Sequence, residues 1–168
     1  MNRELLSIIV FFVLAPIALI CGALTWYNAR KRVSVRQATA QDSEFVRRLY
    51  NSNRDWFGGT ERVNKDEHQT WYAQLLADKR NLVLVGYVGN RRAGYLRVQN
   101  GVLSYCVSKH YRGKGVASRM LGNAIFMRHD LTAKVLYGNV ASRRLLEKHG
   151  FVQDKNEGST KFAYYTKS

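Results

Sequence analysis

Six consecutive residues carry the densest chemistry in the chain: Arg112-Gly113-Lys114-Gly115-Val116-Ala117. Two glycines let a backbone come close to a ligand. A helix that starts here would offer N–H groups with no intrahelical acceptor. Arg112 and Lys114 add positive charge. Together these parts make a diphosphate cradle at a helix N-terminus. The helix is read from Val116, Met120, Ala124 and Met127, which share one face. The strand before it is read from Leu103-Ser104-Tyr105-Cys106-Val107. The pattern is not a dinucleotide fingerprint, because Ser118 stands three residues after Gly115. It is not a P-loop, because neither Gly-Lys-Ser nor Gly-Lys-Thr occurs. The plain alternative is a strand-to-helix turn.

A second segment lies about thirty residues on: Asn139-Val140-Ala141-Ser142-Arg143-Arg144-Leu145-Leu146-Glu147-Lys148-His149-Gly150-Phe151. The first stretch resembles the Arg/Gln-x-x-Gly-x-Gly/Ala loop of the GNAT superfamily of N-acetyltransferases. The second is similar to that superfamily's Asn-x-x-Ser…Glu-Lys-x-Gly-Phe segment. The resemblance spans roughly residues 33 to 166. It implies an α+β GNAT fold, with a mixed, mostly antiparallel sheet of six to seven strands flanked by about four helices. It also implies acetyl-CoA as co-substrate and no metal. The backbone from Arg112 through Gly113, Lys114, Gly115 and Val116 to Ala117 would bind the pyrophosphate. Main chain near Val107 would line the pantetheine arm and help hold the thioester oxygen, with Asn139 and Ser142 along the same arm. Positioning an amine against a polarised carbonyl supplies most of the rate in such a scheme.

The chain departs from the family in two places. The Tyr that many members carry seven residues after the Asn is Leu146 here. The Glu that many carry on the strand before the cradle is missing, because that strand offers Val102, Ser104, Tyr105 and Cys106. Tyr105, Tyr137 and Ser104 are substitutes for the proton path. Cys106 reads as a small buried hydrophobe before it reads as a nucleophile. Glu67-His68-Gln69-Thr70-Trp71 is similar to a Glu-His-x-x-Trp segment in acetyltransferases of nucleotide-linked amino sugars, where it shapes the acceptor side. His68 would then be a general-base candidate, titrating close to working pH. The alternative is a solvated first-turn His68 beside a core Trp71.

The elements that must hold these residues can be read in order. Val33 to Gln37 is a strand and Gln41 to Asn53 a helix, followed by a loop from 54 to 63 around Gly58-Gly59. Asn64 with Glu67 opens a helix to about Asp78. Leu82 to Val88 and Gly94 to Val98 are strands, and Asn100-Gly101 is a hairpin turn. Ala133 to Tyr137 is a strand, Ala141 to Lys148 a helix, and Gly150 its stop. Phe151–Val152 and Lys161–Tyr165 form a last hairpin around a polar loop from Asp154 to Thr160.

The chain has 168 residues, one domain plus an extra segment. Cys21 and Cys106 lie far apart, which argues against a disulfide framework or metal site and for a reducing compartment. Leu5 to Tyr27 is an uncharged run of 23 residues. At ~1.5 Å per residue, such a helix crosses a ~30 Å hydrocarbon core. Trp26 and Tyr27 suit its interfacial end, and Arg30, Lys31, Arg32 and Arg36 place the C-terminal domain in the cytoplasm. Residues 1–29 are therefore expected to be a membrane anchor, with one transmembrane helix over about 5–27, and residues 30–168 the acetyltransferase domain. A cleaved signal peptide is the competing reading, but its basic residues would precede the apolar region.

Residues 1–29 hold only Arg3 and Glu4 as charged side chains, so the net charge of +15 belongs to residues 30–168. A basic domain attracts polyanions. Acetyl transfer to the amine of a nucleotide-linked sugar at the cytoplasmic membrane face fits the charge, the anchor and the resemblance. Protein or aminoacyl-tRNA amines are the alternative acceptors, although the anchor argues against nucleic acid as a partner. A membrane-tethered acyl-CoA binder without catalysis is the third reading. The basic cluster could also rest on anionic lipid headgroups.

Overall fold

Most strand and helix segments of the chain have one apolar side, and each can bury it only against a neighbour. The computed structural model describes residues 32–59, 61–158 and 161–167. In chain order the elements are β1 (Val33–Gln37), α1 (Ser43–Asn51), α2 (Lys65–Ala77), β2 (Leu82–Val88), β3 (Arg91–Gln99), β4 (Val102–Val107), α3 (Val116–Met127), β5 (Leu131–Leu136), α4 (Val140–Lys148), β6 (Val152–Gly158) and β7 (Phe162–Lys167). Short 3-10 turns span Ala40–Asp42, Arg54–Phe57 and Lys109–Tyr111. The strands form one sheet in the order β1-β2-β3-β4-β5-β7-β6. Every neighbouring pair is antiparallel except β4 and β5. The expected mixed sheet is therefore present, with seven strands and four α-helices among the described residues.

Two cores lie on the two faces. Leu84, Leu96, Leu103, Met120, Leu121 and Leu146 pack together on the face of α3 and α4. Val46, Leu49, Tyr72, Leu75, Val83 and Cys106 pack on the face of α1 and α2. Helix α3 lies unusually close to the sheet. A Cβ on Gly86 would stand 2.8 Å from Val116 Cγ1, and one on Gly94 would stand 2.7 Å from the Cys106 carbonyl oxygen. Gly86 and Gly94 are cross-strand partners. Their bare backbone is the floor on which Val116 and Met120 rest, and it sets the height of the α3 N-terminus.

Asp42 ties one corner together. Its fully buried carboxylate accepts from Arg36 at 2.8 and 3.0 Å, from Arg92 at 2.7 Å and from the Thr39 N–H at 2.9 Å. Burial opposes its ionisation, but these donors outweigh burial and hold the carboxyl at about 2. Arg36, read from sequence as part of a juxtamembrane basic cluster, is thus engaged by the domain itself.

Three readings need correction. The strand before Asn100 begins at Arg91, because the hairpin with β2 closes at Val88 and Arg91. Strand β6 runs on to Gly158 through a polar sequence read as a loop; pairing with β7, interrupted by a register shift, carries it. The stretch read as loop after α1 contains the Arg54–Phe57 turn, closed by Gly58 at φ 74°. The anchor expected at 5–27 lies outside the described residues. Among the described residues no helix is long and apolar enough to cross a membrane.

Candidate active site

Parallel strands β4 and β5 pair only at Val102 with Thr132 and Leu103 with Ala133. Beyond that point they diverge, and a cleft of about 590 Å³ opens between them. The Ser108 N–H donates to the Ala93 carbonyl at 2.8 Å, which fixes the alternation of the β3–β4 ladder. The main-chain groups of Tyr105 and Val107 then face away from β3, into the widening gap. Arg112 Nε–H donates to the Val107 carbonyl at 3.3 Å, so of the Val107 main chain it is the N–H that faces the gap.

The glycine loop closes one end of the cleft. Gly113 and Gly115 have φ values of 73° and 79°, the left-handed region that side chains avoid. No atom lies within 4 Å of a Cβ built on either, so the space above the loop is open. The first bond of α3 runs from the Arg119 N–H to the Gly115 carbonyl. The N–H groups of Val116, Ala117 and Ser118 therefore have no acceptor within the helix. An open glycine backbone, a helix N-terminus and the Arg112 guanidinium fit a diphosphate. Arg112 also donates from Nη2 to Asn53 Oδ1 at 2.6 Å, bracing the loop against the end of α1. Lys114 sits with Nζ 5.2 Å from the Tyr111 ring centre and does not line the cleft.

The opposite wall is the start of α4. Asn139 is its N-cap, with Oδ1 accepting the Ser142 N–H at 3.2 Å. Asn139 and Ser142 both line the cleft. Leu146, where the family often has Tyr, is fully buried in the core. A tyrosine reaches this wall from the other side: the Tyr105 hydroxyl donates to the Ser142 carbonyl at 3.4 Å. Burial pushes its phenol up to about 12, so it stays protonated near neutrality. Cys106 also lines the cleft, but burial pushes its thiol up to about 12, which makes it a poor nucleophile.

Of the predicted site residues, the structure gathers Tyr105, Val107, Arg112, Gly113, Gly115, Val116, Ala117, Asn139 and Ser142 around one cleft. It does not bring His68 or Tyr137 there. His68, Tyr72 and Leu75 form the buried stripe of α2. The reading of His68 as solvated is therefore corrected: its ring is 4% exposed, stacks on Tyr72, and its Nδ1 is 3.2 Å from Ser43 Oγ. Burial first, then the Arg47 charge, lowers its pKa. Tyr137 is partly exposed, under the Arg143 guanidinium. Residues missed from sequence are Asn53, Trp56, Phe57 and Lys134, which also line the cleft. An aromatic pair inside the polar 54–63 stretch was the available signal.

The sequence signature of the acetyltransferase (GNAT) family matches residues 33–151. The chain belongs to this family. It is an acyl-CoA-dependent N-acetyltransferase by that membership. No curated protein matches its sequence. Solved structures share the fold at low identity. A ribosomal-protein-alanine N-acetyltransferase from Brucella melitensis is 22% identical, over 80% of this chain and 98% of that one, with a TM-score of 0.69. The yncA protein of Salmonella typhimurium, solved with its cofactor acetyl-CoA, is 22% identical over 80% and 92%, with a TM-score of 0.65. A spermidine N-acetyltransferase from Vibrio cholerae, solved with CoA and spermine, is 18% identical over 80% and 93%, with a TM-score of 0.66.

Proposed function

We propose that the chain moves an acetyl group from acetyl-CoA to the primary amine of a nucleotide-linked amino sugar, at the cytoplasmic face of a membrane. The observation that carries the acceptor class is the charge of the cleft. Arg112 and Lys134 line it, and no Asp, Glu or His does among the described residues. Such a wall repels a polyamine and attracts a phosphorylated acceptor. Two nearby cations also favour the neutral form of an incoming amine.

Acetyl-CoA supplies the acyl group as an activated thioester. The α3 N-terminus and the glycine backbone hold its diphosphate, and the Val107 N–H polarises the thioester carbonyl. The amine nitrogen bonds to the carbonyl carbon as the carbon–sulfur bond breaks. Tyr105 gives its phenolic proton to the departing sulfur, and the proton shed by the nitrogen returns through solvent to the phenolate. His68 holds α2 against α1 from beneath and takes no part in this transfer. The apolar run at 5–27 tethers the domain where membrane-consumed glycan precursors are made.

The test uses the full chain in detergent with acetyl-CoA and a pool of UDP- and dTDP-linked 4-amino sugars, read by mass spectrometry. One pool member should gain an acetyl group. Acetylation of spermidine or a ribosomal-protein N-terminus, with all sugars untouched, would replace this acceptor class.

A further inference from the structure

The cleft runs through the sheet from one face to the other. Tyr105, Val107 and Leu145 line it on the side of α3 and α4, and Ser104, Cys106 and Lys134 line it on the side of α1 and α2. Strand register aligns four side chains on this second face. Arg97 lies opposite Ser104, and Lys134 opposite Tyr164. Pairing of Leu103 with Ala133 puts Ser104 beside Lys134. The flanking residues Leu96, Leu103, Ala133 and Ala163 all belong to the other core, so alternation points Arg97, Ser104, Lys134 and Tyr164 the same way. With paired strands about 4.8 Å apart and β4 and β5 parting here, the backbones of Arg97 and Lys134 stand at least roughly 10 Å apart with Ser104 between them.

Both cations are held in place by aromatic rings. Arg97 lies over Trp71 at 5.0 Å, its Nε–H donates to Ser104 Oγ at 2.9 Å, and its Nη1 reaches Gln99 Oε1 at 3.4 Å. Lys134 Nζ lies 4.2 Å from the Phe162 ring centre and 5.5 Å from that of Tyr164. A ring orients a cation without cancelling its charge. Asp154, opposite Tyr164 on β6, is the carboxylate that shares this row, one strand further from Lys134 than Tyr164. The row therefore presents two fixed positive charges, a hydroxyl and aromatic faces at the vertex where the strands part.

We infer that this row is the diphosphate subsite for the acceptor. Arg97 and Lys134 bind phosphate oxygens from either side, and Ser104 donates its hydroxyl proton between them. The cofactor's diphosphate is held on the α3 side of the sheet and the acceptor's on the α1 side, so the amine meets the thioester in the gap. The inference rests on the nucleotide-linked acceptor class proposed above.

Calorimetry on the full chain saturated with CoA, titrated with UDP and with dTDP, separates this site from the α3 cradle. Wild type should bind at least one of them. Arg97→Met and Lys134→Met should each weaken that binding at least about tenfold, the worth of a lost charge-assisted hydrogen bond, with CoA still saturating the chain and an unchanged melting temperature as the check on folding. Arg97→Lys should recover part of the loss. Absence of nucleotide binding to CoA-saturated wild type, or unchanged binding in both Met variants, overturns the subsite. A sugar acetylated with unchanged KM by both Met variants overturns the subsite and leaves the proposed reaction standing. Nucleotide binding lost in the Met variants supports the subsite even where no pooled sugar is acetylated, an outcome that counts against the reaction alone.

Discussion

Tyr105 and His68 are separated by burial and by what their polar atoms touch. Tyr105 reaches the cleft wall at Ser142, while His68 is stacked between helices with Ser43 as its partner. Tyr105→Phe should lower kcat by about a hundredfold, the lower range for a lost general acid, and leave the acetyl-CoA KM nearly unchanged. His68→Gln should keep kcat within about threefold and act on stability instead. A histidine whose folded pKa is lowered binds protons more readily when unfolded. Its contribution is full above the unfolded value of about 6.5 and is lost as pH falls from there to the folded value. Wild-type Tm should therefore drop as pH goes below about 6.5, and His68→Gln should reduce that slope, leaving the part due to His149, which burial also lowers. Steady-state kinetics and thermal melts across pH read both effects, and equal kcat losses in the two variants would reverse the assignment. The glycine loop was legible in the sequence because its neighbours in space are its neighbours in the chain. The roles of His68 and Tyr105 were not, because each depends on which helix packs over which strand. The spacing 68, 72, 75 did mark one face of α2 and could have placed His68 inside.

Helix α3 matters at the scale of elements because its N-terminus must meet the cofactor at a fixed height. Gly86 and Gly94 set that height, and the fold cannot easily yield at Gly94, where the obstacle is backbone. Gly94→Ala should cost about 2 kcal/mol, as overpacking does. It should also raise the acetyl-CoA KM several-fold by displacing Cys106 and the adjoining Val107, whose main chain faces the cleft, with less effect on the acceptor KM. Urea denaturation and kinetics with each substrate varied test this, and a stable variant with an unchanged acetyl-CoA KM would remove the link. Most elements could be read from period and turn chemistry. The Asn100–Gly101 turn, with φ values of 53° and 76°, is one case, and the Gly150 stop another. The sheet order could not be read so directly. Parallel pairing of β4 with β5 joins segments some thirty residues apart, and only the family resemblance pointed to the gap between them. Strand β6 was missed past Val152 because its residues are polar and its pairing with β7 is tertiary.

Charge is the property that belongs to the whole molecule. From Lys79 to His129 the chain contains no Asp or Glu, while Lys79, Arg80, Arg91, Arg92, Arg97, Lys109, Arg112, Lys114, Arg119 and Arg128 fall inside it. This stretch forms β2, β3, β4 and α3, of which β4 and the α3 N-terminus line the cleft. Arg112 lines the cleft itself, and the other cations of this stretch add a positive field around it. Ionic strength should expose this, because the Debye length shrinks from about 10 Å at 0.1 M to about 3 Å at 1 M. The Kd of the full chain for CoA should rise roughly tenfold between about 0.05 M and about 0.5 M NaCl, since CoA carries its charge as phosphates and meets a field rather than one ion pair. Arg91→Glu lies on the β2–β3 hairpin outside the cleft, so it should reproduce part of that loss at low salt and none at high salt. A CoA affinity that changes less than twofold across the range would mean that the backbone N–H groups of the α3 cradle hold the diphosphate without help from the surrounding cations.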